Sequence, residues 1–191
     1  MRKMFALILC SAAMAVCSIS QTALAQAAQT PAPATAAPAK PVLSPPAKAD
    51  VTLPDANITI DYSAPSMRSR TIFGGLVPYG EVWRTGANAA TTLKTSGNLK
   101  IGDLTVPAGT YTLYSLPTAD GWQLVVNKQT GQWGTVYDKA QDLGRVKMST
   151  GSTAVPIETL VLDFEKTIGD ATELHIKWAA VDASVQITAV K

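Results

Sequence analysis

The chain has 191 residues, with 16 basic and 14 acidic side chains, one histidine and two cysteines. Both cysteines, Cys10 and Cys17, lie in the first twenty residues, and so do two of the basic side chains, Arg2 and Lys3. The remainder therefore carries 14 basic against 14 acidic residues and no thiol, which gives no electrostatic case for a nucleic acid or an anionic membrane as partner. It also excludes disulfide staples, thiolate catalysis and cysteine-ligated metals.

The opening reads as a secretory signal peptide. Arg2 and Lys3 precede the apolar run Met4 to Ile19, and Ala23-Leu24-Ala25 supplies a small-residue cleavage site. The apolar run decays through Ser18, Ser20, Gln21 and Thr22, so no transmembrane anchor of about 20 apolar residues is expected here. Cleavage after Ala25 predicts a periplasmic or secreted bacterial protein, with a lipoprotein anchored through Cys17 as the alternative; Val16, where a small residue is expected, counts against it. Residues 26–49 are built almost wholly of Ala, Pro, Thr and Gln, a composition that predicts a disordered, extended tether.

Residues 50–191 are enough for one domain with its own core. Apolar residues recur with period two and no helical periodicity is sustained over three turns, so the expected fold is all-β. Strands are predicted over Ile58 to Ser63, Glu81 to Thr85 and Ala90 to Thr95. A hairpin follows, Leu99-Lys100-Ile101 and Leu104-Thr105-Val106 around Gly102-Asp103. Pro107-Ala108-Gly109 then turns the chain into Thr110 to Leu116, which Pro117 is expected to end. Trp122, Leu124 and Val126 define the next apolar face, with Trp122 in the core. Later faces are Leu160, Leu162 and Phe164, then Leu174, Ile176 and Trp178, then Val185, Ile187 and Ala189. Many short antiparallel strands with one buried face each predict an antiparallel two-sheet sandwich, jelly-roll-like.

Catalytic signatures are sparse. His175 alternates with core residues beside Glu173 and Lys177, the pattern of a solvated strand face. A nucleophile elbow is absent, and one histidine without cysteine makes a zinc site improbable. No metal site and no cofactor are expected. A hydrolase using two carboxylates remains an alternative, although Asp163 and Glu165, which share a face, read as solubilising charge.

The segment Met67 to Asn88 departs from ordinary strand and turn. It holds Arg68, Arg70 and Arg84, three of the four arginines after the leader, among Phe73, Tyr79, Trp83 and four glycines. Guanidinium groups beside aromatics in a glycine-rich loop form a candidate pocket for a glycan or a small anion, with the Asn88 amide as a further donor and acceptor. The opposing reading pairs these arginines with Glu81 and Asp61 and puts Phe73 and Trp83 in the core. A second candidate lies between Lys128 and Asp142, where Trp133 and Tyr137 occur in a loop poor in aliphatic residues and exposed rings could stack on sugars or partner side chains; the opposing reading folds Trp133 back as a lid on one end of the sandwich.

The run from Arg68 to Gly80, continued by Val82-Trp83-Arg84-Thr85-Gly86-Ala87-Asn88, resembles exported bacterial proteins grouped as domain-of-unknown-function family 2911. Pro107-Ala108-Gly109-Thr110-Tyr111, Gln132-Trp133-Gly134 and Arg145-Val146 carry the same likeness. The resemblance covers roughly Asp50 to Lys191 and implies export and one domain behind a leader. It places Arg68, Arg70, Trp83, Arg84, Asn88 and Trp133 within the family's motifs, and it brings no established activity. The leading expectation is a tethered binding module without catalysis; the alternatives are the polysaccharide hydrolase and a structural envelope protein that makes protein contacts.

Overall fold

The structure is a computed structural model that describes residues 43–191. The leader, the Cys17 alternative and the tether up to residue 42 lie outside the described residues. Alternation sets the first strands: β1 (Pro46–Leu53) buries Ala49 and Leu53, and β2 (Ala56–Ser63) buries Ala56, Ile58 and Ile60. The two form a tight antiparallel hairpin, Leu53 opposite Ala56. The regular chain thus begins at Pro46, inside the stretch read as tether, because Ala49, Val51 and Leu53 share one apolar face that the prolines before them obscure.

After an irregular passage come β3 (Thr91–Thr95), β4 (Asn98–Ile101), β5 (Leu104–Val106), β6 (Gly109–Thr118) and β7 (Gly121–Asn127). The Gly102 hairpin forms as expected, with Gly102 at φ +53°, where a Cβ would collide with Val146. Pro117 does not end its strand. It pairs with Trp122 near the hairpin turn, where no N–H is demanded of it, and its carbonyl accepts from the Gly80 N–H at 2.8 Å. Glu81 to Thr85 is not a strand; one antiparallel bridge joins Trp83 to Ser115 there.

The long β8 (Asp142–Ile168) and β9 (Ala171–Val190) complete the fold. Among the described residues the strands pair antiparallel throughout, and the order β1-β2-β3-β6-β7-β8-β9-β4-β5 is one nine-stranded sheet. The all-β antiparallel fold expected from sequence is present, with its strands joined in a continuous ladder and the two-sheet division not confirmed. The reason is β8, which passes from pairing with β7 at Trp122↔Met148 to pairing with β9 at Ser149↔Ser184. Side chains from both ends of the order, Ile58 and Leu93 from one and Leu99, Ile101 and Ile187 from the other, still join a single buried core. Each such aliphatic side chain contributes about 1.5–3 kcal/mol when fully buried. Among the described residues no helix is long and apolar enough to cross a membrane.

Candidate functional site

Residues 64–90 cross the end of the sheet as irregular chain held by local bonds. Leu76 N–H donates to Thr71 O at 3.0 Å and Val77 N–H to Ile72 O at 2.9 Å, while Trp83 exchanges backbone bonds of 2.8 Å with Ser115 in both directions. Four non-glycine residues here take positive φ: Arg68 (49°), Ser69 (60°), Thr85 (52°) and Asn88 (58°). Asn tolerates this region, but a β-branched residue there is strained. Thr85 is fully buried and held by a 2.8 Å bond between its hydroxyl and that of Ser115, and its carbonyl accepts from the Thr91 hydroxyl at 3.0 Å.

Aromatic packing fixes the other side of the segment. Phe73 meets Trp122 edge-on at 4.8 Å between centroids, and Trp83 stacks on Trp178 at 5.8 Å with 18° between the rings. Phe73 and Trp83 are half-buried against the core, so part of the opposing reading holds. Its charge pairing does not: Asp61 bonds Lys94 at 2.9 Å, and among the described residues the one arginine in an ion pair is Arg145, with Asp142.

The segment walls a cavity of about 490 Å³. Of the residues singled out in sequence, Arg70, Trp83, Arg84, Asn88 and Tyr137 line it, and Arg68 and Trp133 do not. The guanidinium of Arg68 donates to Leu43 O at 2.8 Å, clasping the incoming chain. Trp133 is 56 % exposed, immediately beside the lining residue Gly134. Arg70 donates through Nε to Met67 O at 2.9 Å and through Nη2 to Ser66 O at 2.7 Å; Arg84 donates through Nε to Gly86 O at 3.3 Å. Carbonyl oxygens thus orient both guanidiniums without neutralising them, and each keeps unused N–H donors.

Sequence reasoning missed Leu43 and Ser44, hidden in the tether composition, and Gly134, which belongs to the lining. A Cβ on Gly134 would strike the Arg84 side chain and approach Asn88 O to 2.9 Å. The glycine lets residues 132–134 lie against 88–90, where Gly134 N–H donates to Asn88 O at 3.0 Å. The Gln-Trp-Gly run was the signal available for it.

Tyr137 turns its hydroxyl away into a polar network. It donates to Asp142 Oδ2 at 2.7 Å and accepts from Arg145 Nη2 at 2.7 Å. Burial and the bond to the Asp142 carboxylate push its pKa up to about 12, so the phenol is a neutral structural donor and not a base. Its ring packs on Tyr114 at 4.9 Å.

His175 differs from expectation. It is buried at 6 % exposure, with Nδ1 2.8 Å from Asp182 Oδ1 and Nε2 3.3 Å from Glu173 Oε2. Seven residues along a straight strand span about 23 Å, yet Asp182 returns to His175. Strand β9 bends between them: Ala179 takes φ +52° and the register with β8 shifts around Ile157. Lys177 adds ion pairs to Asp163 and Glu165. Its hydrogen bond holds the Glu165 carboxyl below the usual range, as the one from Lys166 does for Glu173. Burial works against the Lys177 ammonium, but its bonds to Glu165 and Asp163 outweigh it and raise its pKa. Among the described residues no group of three or more His, Cys, Asp or Glu is placed to hold a metal ion.

Fold and site together define an all-β domain, built on one antiparallel sheet, with a cavity lined by Arg70 and Arg84. The chain belongs to the family described as protein of unknown function (DUF2911), whose model matches residues 44–187. No curated protein and no solved structure matches it.

Proposed function

We propose that this protein is a ligand-binding module whose cavity takes a small anion, a carboxylate or a phosphate. The observation that carries this is the pair Arg70 and Arg84, on one cavity wall, oriented by carbonyl oxygens and lacking a carboxylate partner among the described residues. A bound anion would accept bidentate, charge-assisted bonds from them. Asn88 adds an amide, and Trp83 and Tyr137 add ring surface.

Among the described residues that line it there is no Asp or Glu, which counts against two-carboxylate hydrolysis in this cavity. A concave, cation-lined site likewise counts against a purely structural role. Exposed Trp133 at the rim favours a second reading, a glycan stacked on the indole and reaching the cavity through an acidic substituent.

Calorimetric titration of the protein with phosphate, citrate, glucuronate and glucose tests both. Binding of the anions, lost by at least tenfold in Arg84→Met and Arg70→Met while the thermal transition persists, is the expected result. Unchanged affinity in both variants would overturn the anion reading, and glucose binding that survives them would favour the glycan. Export behind the leader is part of the proposal; N-terminal sequencing of the extracytoplasmic protein should begin at Gln26.

A further inference from the structure

Arg70 lines not one depression but two. On its far side lies a second, open hollow of about 460 Å³ whose apolar wall is formed by Met67, Phe73, Tyr79, Ala180 and Val181. Arg70 is the one charged residue in that lining, and Ser69 and Thr71 supply its side-chain hydroxyls apart from the Tyr79 phenol. Tyr79 is 48 % exposed, and Leu76, on the lining of the first cavity, is also 48 % exposed. Arg70, itself exposed, is thus shared by the arginine-lined cavity and a mostly apolar hollow.

Such a surface is poorly suited to a polyhydroxylated ring, which needs many side-chain donors and acceptors at once. It suits a molecule with one negative head and an apolar tail, since burial of methylenes requires no hydrogen bonds. We infer that the ligand is a free monoanionic amphiphile, a carboxylate held by Arg70 and Arg84 whose unbranched apolar chain lies in the Phe73/Tyr79/Val181 hollow. This specifies, and rests on, the anion-binding reading above. Arg70 then works as a saddle, its charge on the head and its aliphatic stem under the first methylenes.

Titration of the full chain with butanoate, hexanoate, octanoate and decanoate, below micelle formation, with octanol as the uncharged control, tests the inference. Affinity should rise up to about fourfold per buried methylene until the hollow is filled, and octanoate should bind at least tenfold more tightly than octanol. Ala180→Gln, which puts an uncharged amide at an exposed position of the hollow, should flatten the dependence on chain length. Equal affinity for butanoate and decanoate, or an Ala180→Gln variant that binds decanoate as the parent does, would overturn the amphiphile while leaving the anion site standing. Binding by none of the acids, nor by phosphate, would remove the anion site and the amphiphile together.

Discussion

Two charged regions of this protein are built in opposite ways. Around His175 the acidic side chains have internal partners: Asp182 the imidazole Nδ1, Asp163 and Glu165 the Lys177 ammonium, Glu173 that of Lys166. At the cavity, the hydrogen-bond partners of the Arg70 and Arg84 guanidiniums among the described residues are the carbonyl oxygens of Ser66, Met67 and Gly86. The first arrangement holds the bend of β9 in place. The second holds side chains in position and leaves their charge unspent, which is what a site for an external anion requires. Charge alone does not separate structure from recognition; the chemistry of its internal partner does.

The largest expected effect falls where the regions join. Trp178 stacks on Trp83 at the cavity and sits on β9 three residues past His175, almost fully buried. Trp178→Ala should cost about 3–5 kcal/mol in chemical denaturation and abolish ligand binding; a loss below about 1 kcal/mol would show that the two regions are not braced by this ring. Next, His175→Ala strands the Asp182 carboxylate while Glu173 keeps Lys166, and should cost about 1–3 kcal/mol. Arg84→Met should stay within about 0.5 kcal/mol of the parent. Equal losses from these two substitutions, measured by urea unfolding, would erase the contrast.

Smaller effects come from pH. The Tyr137 phenol titrates near 10 when unfolded and at about 12 in the fold, so its contribution is complete below pH 10 and is lost as pH rises toward 12. Tyr137→Phe should flatten the fall of stability across that interval. For Glu165 and Glu173 the sign is reversed: their folded pKa values are lowered by Lys177 and Lys166. Their contribution is present above the unfolded carboxyl range and is lost as pH falls through the folded values. Glu165 and Glu173 are partly exposed, so screening keeps this effect small and high salt should reduce it further.

The sequence disclosed the fold where strands are straight. Ile58 and Ile60, Leu99 and Ile101, and Leu124 and Val126 alternate without interruption, and they are buried as the pattern requires. It failed where a strand bends. His175 reads as exposed only if β9 runs straight, and the bulge at Ala179 that folds Asp182 back over it has no local sequence signal. Of β8 the alternation showed only the face of Leu160, Leu162 and Phe164, because Gly151 and Pro156 interrupt the pattern before it, although one strand runs through both. At the cavity, the unusual composition of residues 67–88 pointed to Arg70, Trp83, Arg84 and Asn88, which the fold brings around one space. Composition could not distinguish them from Arg68, whose guanidinium is spent on Leu43.

The central claim is that the cavity guanidiniums are available and the paired one is not. Nitrogen–proton correlation spectra of the arginine Nε groups, recorded during titration with phosphate, address it residue by residue. The signals of Arg70 and Arg84 should shift in saturable fashion while that of Arg145, tied to Asp142 and Tyr137, stays in place. Uniform small drifts of all of them, or movement of Arg145 alone, would contradict the account.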